Sequence, residues 1–133
     1  MNEQTLSIIK PDAVERNLEN EIKKFYEKNG FKIIKSKKVK ITKEESSEFY
    51  KVHQTKPFYN DLCSYLSSGP IVVIILEGEN AVLNHRKVIG ATDPSKAEEG
   101  TLRKMYGISI DKNSVHGSDN LENAKHEISF FFK

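Results

Sequence analysis

A single cysteine, Cys63, stands among 133 residues, so neither an intrachain disulfide nor a cysteine-based zinc cluster can form. One thiol fits a reducing compartment, and the chain is read as cytoplasmic. No apolar run approaches the roughly 20 residues of a membrane helix, and Met1-Asn2-Glu3-Gln4 does not read as a signal peptide. Charge of one sign is also missing. The 21 basic and 19 acidic residues leave a net +2, which exerts no dominant pull toward nucleic acid or membrane. No Gly-Lys dipeptide occurs, which excludes a Walker A phosphate loop. The protein-kinase signatures, the lipase nucleophile elbow and His-Glu-x-x-His are absent as well. Arginine is scarce: Arg16, Arg86 and Arg103 stand against 18 lysines. Each is therefore a candidate for forked phosphate recognition, which lysine cannot perform.

What is present suffices for one small core. Leu, Ile, Val and Phe make up 36 of the 133 residues, about 27%, above the rough 20% below which chains fail to collapse. Residues 5–9 and 71–76 are β-branched apolar runs that read as central strands buried on both faces. Over 31–41 apolar and lysine positions alternate, as in a half-solvated edge strand, with Ile34 and Lys35 breaking the parity. Those lysines read as a solvated edge more readily than as a nucleic-acid patch.

Leu18, Ile22, Phe25 and Tyr26 repeat at helical spacing before Gly30, and Thr42 with Glu45 forms a capping box. Pro57 is placed as the first residue of a helix ending at Ser68-Gly69-Pro70. Residues 79–88 read as helical, and Asp119 with Glu122 opens a last helix along Leu121, Ala124, Ile128 and Phe131. A short strand near Val115 completes the order. The fold class predicted is α+β, a ferredoxin-like βαββαβ sandwich with a four-stranded antiparallel sheet, helices on one face, and one domain over 1–133. The stretch 90–114 has little period and is long for a connection, and such loops are usually functional.

Polar residues concentrate between Arg86 and Glu127, interleaved with glycines. Within His116-Gly117-Ser118-Asp119, a histidine at a strand end before a helix cap is rigidly based and open above. Neutral imidazole is a competent nucleophile near neutral pH without a dedicated base. Glu127, on the border of the last helix's stripe, is placed to fold back with Ser118 and orient it. A strand-end histidine satisfied by the backbone is the competing reading of that tetrapeptide.

The full run Asn113-Ser114-Val115-His116-Gly117-Ser118-Asp119 closely resembles the signature of the nucleoside diphosphate kinases. So do Ile9-Lys10-Pro11-Asp12, Lys56-Pro57-Phe58-Tyr59, Ser68-Gly69-Pro70, Gly90-Ala91-Thr92-Asp93-Pro94 and Gly100-Thr101-Leu102-Arg103, in order and at the family's spacing. The match runs from about Thr5 to Phe132. The resemblance implies ping-pong transfer of a γ-phosphoryl group from a nucleoside triphosphate, typically ATP, to a diphosphate through a phosphohistidine on His116. It also implies Mg²⁺ held mainly by the nucleotide phosphates rather than by a protein cage.

By the same resemblance Arg86 and Arg103 meet the phosphates, with Thr92 and His53 adding hydrogen bonds. Lys10 reaches sugar and phosphates, Asn113 contacts the ribose, and Tyr50 lies near His116. Phe58 stacks on the base between Leu62 and Ile110, although its helical spacing alone would make Phe58 core. His85 and His126 match nothing catalytic and read as solvated; Cys63 reads as helix packing.

Three positions depart from the motifs: Asp93 where Asn is usual, Lys56 where Arg is common, and Asn17 where Gly is common. Relatives commonly run past the position of Lys133, and that tail touches a neighbouring subunit. A homo-oligomer is expected, a tetramer or hexamer built from dimers, with Pro94 in the loop that helps build it. Two further readings stand beside this one. An inactive nucleotide-binding module would be marked by loss of the histidine, an arginine or the lysine, and all are present. An RNA-binding sandwich would need aromatics in mid-strand, and the predicted central strands have none.

Overall fold

The computed structural model describes residues 2–51, 55, 57, 59–109 and 112–132. Strand β1 (Asn2–Ile9) leads into the one-turn helix α1 (Pro11–Glu15) and then α2 (Glu19–Lys28). After β2 (Lys32–Val39) come α3 (Lys43–Phe49) and α4 (Tyr59–Leu66), then β3 (Ile71–Glu79) and α5 (Ala81–Ile89). A 3₁₀ turn at Pro94–Lys96 and α6 (Leu102–Tyr106) lie within the long connection to β4 (Val115–Gly117). Helix α7 (Leu121–Phe131) closes the order. The sheet runs β2-β3-β1-β4 with every pairing antiparallel, the ferredoxin-like order expected from the sequence.

The helices do not lie on one face, as expected, but on both. Along β1 and β3, Ile9, Val72, Ile74 and Leu76 join one core with Ala13, Ile22, Tyr26, Ile89 and Leu102. Leu6, Ile8, Ile71 and Val73 join another with Phe49, Cys63, Leu66 and Phe131. Side chains on a strand alternate between faces, so strands apolar at every position need cover on both. The continuous runs at 5–9 and 71–76 already required this. Each fully buried Leu or Ile contributes roughly 1.5–3 kcal/mol, so neither layer is dispensable.

Local details follow from single residues. The parity break in β2 is a β-bulge: Ile33 pairs with Leu76 and Lys35 with Ile75, leaving Ile34 without a register partner. Thr42 and Glu45 form the capping box, each side chain bonded to the other's backbone N–H. Helix α4 starts at Tyr59, two residues later than Pro57 suggested. The cap of α7 is Asn120, whose side chain accepts from Asn123 N–H at 2.8 Å. Asp119 is instead drawn to Arg86. Asn17 adopts φ +60°, a conformation that favours Gly and that Asn tolerates best among the others, which accounts for this departure from the motif.

Candidate active site

The site is organised around residues 113–119. β4 pairs with the last residues of β1, Ile8 opposite His116, so the histidine stands on a strand held by the sheet centre. Alternation sends Val115 and Gly117 toward one helical layer and His116 toward the other. There the imidazole packs edge-on against Phe49, with ring centroids 5.4 Å apart, and against Tyr50 at 6.4 Å. Glu127, one face of α7, bonds His116 Nε2 through Oε1 at 2.8 Å, and the same oxygen accepts from Ser118 Oγ at 2.7 Å.

A carboxylate only accepts, so Nε2 carries the hydrogen and Nδ1 keeps its lone pair. No described residue bonds Nδ1. The side chains of His116 and Glu127 are 17% and 13% exposed, which leaves the ring supported from behind and reachable from solvent. This is the orientation expected of Glu127 and Ser118.

The cations arrive from three directions. Lys10, buried just past β1, donates from Nζ to Asn113 Oδ1 at 2.9 Å, and Asn113 Nδ2 donates to the Thr92 carbonyl at 3.0 Å. Arg103, on α6, spends its fork on two carbonyls, Gly90 O at 3.0 Å and Val115 O at 2.9 Å. Burial pulls its guanidinium down to about 10, which leaves it charged at neutral pH. Arg86, on α5, is half-exposed and pairs with Asp119 at 2.6 Å. Lys10, Thr92, Arg86, Arg103, Ser118 and Glu127 are thus all tied to 113–119. Tyr50 joins through its ring; burial, with a smaller push from Glu127, raises its phenol far above the ordinary range, so it stays neutral.

Leu62 is half-buried at the border of the second core. His53, Phe58 and Ile110, and the departure Lys56, lie outside the described residues. The other departure, Asp93, bonds Ser95 N–H and Oγ at 3.0 and 2.8 Å and so caps its own 3₁₀ turn. Among the described residues no three His, Cys, Asp or Glu side chains converge as a metal cage requires, and no helix is long and apolar enough to cross a membrane.

Three features were not anticipated. Among the described aromatics, Phe49 lies nearer His116 than Tyr50 does, and Asp119 is the carboxylate on Arg86. The third is a correction: His85 is not solvated but wholly buried, whereas His126 is exposed. His85 Nε2 shares a hydrogen bond of 2.9 Å with Tyr26 Oη, which meets Ser7 Oγ at 2.7 Å. Its ring lies so close under β4 that a Cβ on Gly117 would sit 2.8 Å from Nδ1. Only glycine fits there.

Burial drops His85 to about 3, from about 6.5 in the unfolded chain, with the His116 ring adding to the effect. Between those values the unfolded chain binds the proton and the folded one does not. Stability is therefore whole above pH 6.5 and should fall as pH drops toward 3, by up to about 1.4 kcal/mol per pH unit from this group. Urea unfolding at pH 7, 5.5 and 4.5 checks this, and His85→Gln should flatten the dependence.

Fold and site together define a ferredoxin-like α+β protein that presents a carboxylate-oriented histidine among arginines and a lysine. The profile of the family "Nucleoside diphosphate kinase" matches residues 3–133. The nucleoside diphosphate kinase of Persephonella marina is 55% identical over 130 residues, 98% of this chain and 93% of that one. That of Rhizorhabdus wittichii is 55% identical over 131 residues, 98% and 94% of the two chains. The crystal structure of the Aquifex aeolicus nucleoside diphosphate kinase superposes with TM-score 0.97 at 39% identity, covering 100% of this chain and 96% of that one. The apo enzyme of Encephalitozoon cuniculi gives 0.94 at 37%, covering 98% and 88%. The chain belongs to the nucleoside diphosphate kinase family.

Proposed function

We propose that the chain, one domain over 1–133, is an active nucleoside diphosphate kinase working by a ping-pong route through His116. The observation that carries the reading is the His116–Glu127–Ser118 arrangement, which holds Nε2 and leaves Nδ1 open as the nucleophile. In the first half-reaction Nδ1 attacks the γ-phosphorus of a nucleoside triphosphate, the bond to the bridging oxygen breaks, and the diphosphate leaves with that electron pair. In the second, a diphosphate oxygen attacks the phosphohistidine and the imidazole leaves as the neutral ring. The Glu127 carboxylate stabilises Nε2–H as the ring gains positive character. Transfer of this kind asks for positioning and charge neutralisation more than for covalent help from the protein. Arg86, Arg103 and Lys10 supply the neutralisation, and Thr92 and His53 add hydrogen bonds. Arg86 would exchange Asp119 for phosphate, a small loss because the pair is solvent-exposed.

Mg²⁺ would come with the nucleotide as part of the substrate, held mainly by its phosphates, and would help neutralise their charge. The site's donors suit that arrangement because the cationic Lys10, Arg86 and Arg103 outnumber the carboxylates Glu127 and Asp119 there. Asn113 and Lys10 take the ribose, Phe58 stacks on the base, and Leu62 and Ile110 flank it. We place the enzyme in the cytoplasm as a homo-oligomer, a tetramer or hexamer built from dimers. The exposed apolar side chains of Leu83, Met105 and Ile108 support self-association.

Transfer of labelled γ-phosphate from ATP to GDP tests the reading directly; no labelled GTP from folded protein would overturn it. The same assay tests breadth. A stacking face accepts any base, and rejection needs a buried polar group left unpaired by the wrong one. ADP, GDP, CDP, UDP and dTDP should all be accepted, purines modestly better, and Phe58→Ala should weaken all alike. A thousandfold preference for one base would reveal an edge-reading group.

A further inference from the structure

Two of the three arginines serve the phosphate site; Arg16 turns instead onto a buried carboxylate. Asp12 Oδ2 accepts from Ser114 Oγ at 2.9 Å and from Arg16 Nη2 at 3.1 Å. Its Oδ1 accepts a short bond from the Tyr65 hydroxyl, whose oxygen in turn accepts the Asp12 N–H at 2.8 Å. Arg16 also donates to Tyr106 O at 2.6 Å, to Ser114 Oγ at 3.1 Å and, from Nε, to Asp12 O at 3.0 Å. Neither residue touches the imidazole, and neither belongs to the reacting groups named above.

What they hold is Ser114. Its φ of +74° lies in the left-handed region that residues other than Gly rarely adopt, and such a conformation persists only where the surroundings over-determine it. Here a fully buried hydroxyl, bonded to both Asp12 and Arg16, does so. The turn at Ser114 sets the site. Its carbonyl accepts from Lys10 N–H at 2.8 Å, Asn113 before it bonds Lys10 Nζ, and His116 follows two residues later. Tyr65 brings in α4, which carries Leu62 at the base end of the site.

We propose that Asp12 and Arg16 are positioning residues: their cluster fixes the left-handed turn at Ser114 and thereby registers Lys10, Asn113 and His116 against one another and against α4. The inference rests on the proposed kinase function. A carboxylate suits the task because its two oxygens accept from several donors at once, and Arg16 because a planar fork reaches acceptors on separate segments. The Arg16 side chain is 38% exposed, so its attraction to Asp12 is screened and the hydrogen-bond geometry carries the role.

A cluster that only stabilised the fold would move the melting temperature and leave the folded enzyme's turnover alone. The experiment compares wild type, Arg16→Lys, Asp12→Asn and the double variant Asp12→Asn with Ser114→Gly. ATP-to-GDP transfer, ADP affinity by calorimetry and thermal unfolding are measured on each. Misplacement of reacting groups by about an ångström costs up to roughly a hundredfold. Folded Arg16→Lys and Asp12→Asn should therefore lose about tenfold or more in kcat, with a smaller change in ADP affinity. Glycine relieves the strain of positive φ but has no hydroxyl to anchor the turn. Ser114→Gly should therefore return melting temperature to Asp12→Asn, while the turn stays unfixed and kcat does not recover.

Wild-type kcat in both single variants, or recovery of kcat together with melting temperature in the double variant, would overturn the positioning role. If Asp12→Asn does not fold, Arg16→Lys decides alone. Wild-type protein that transfers nothing defeats the kinase reading itself, a result distinct from active wild type with equally active variants.

Discussion

Incubated with ATP and no acceptor, the protein should become phosphorylated on His116. The adduct should be acid-labile and alkali-stable, as a phosphoramidate is and a phosphoserine is not, and GDP should discharge it. The expectation rests on geometry. Nδ1 is the open nitrogen, Nε2 is held by Glu127, and the Ser118 hydroxyl is occupied with the same carboxylate. His116→Asn fills similar space without a nucleophilic nitrogen. Transfer should fall by roughly 10⁴-fold or more, the scale seen when a nucleophile is deleted from an otherwise intact site. Phosphate that survives acid, or that persists at full level in His116→Asn, would sink the assignment.

The second large effect is expected from Arg103→Lys. Lysine keeps the charge and loses the fork. In the free protein that fork joins Gly90 O, at the end of α5, to Val115 O, beside His116. A single ammonium cannot span both carbonyls and also face a phosphate. Turnover should drop about a hundredfold or more, the scale of removing one preorganised donor from a transition state, while nucleotide affinity falls much less. Pre-steady-state phosphorylation measured against ADP binding separates the two. A lysine variant as fast as wild type would show that charge alone suffices.

How far the sequence carried these conclusions varies residue by residue. β1 and β3 were legible because an unbroken β-branched run has few other uses, and the bulge at Ile34 showed as a broken parity. The candidate site was proposed from residues in contiguous motifs, and of those described, Lys10, Thr92, Arg86, Arg103 and Glu127 are bonded to 113–119. The two-sided sheet was legible in the strands but obscured by the expectation of a single helical layer. His85 was not legible. Its burial depends on Tyr26, 59 residues away, and on the missing side chain of Gly117, and neither relation leaves a local pattern. Arg16 was noticed for its rarity, but its partners Asp12, Tyr106 and Ser114 converge only in three dimensions. The cap of α7 was misplaced by one residue because Asp119 and Asn120 are equally good caps, and the arginine of α5 claimed the aspartate.

The short strand β4 has a consequence for how the enzyme comes into being. Its three residues pair only with the far end of β1, so Ser7 meets Gly117 and Ile9 meets Val115 across more than a hundred residues of chain. The bonds from Lys10 to Asn113 and from Ser114 to Asp12 span similar separations. Closing such long loops costs chain entropy before any contact rewards it, and folds dominated by distant pairings assemble slowly. A growing polypeptide emerging from the ribosome can form α2 and the β2–β3 pairing early, yet β4 and His116 come only after more than a hundred residues have been made. Under the proposed function, catalytic competence thus comes late in folding, and regained activity marks a complete fold more strictly than regained helix content does.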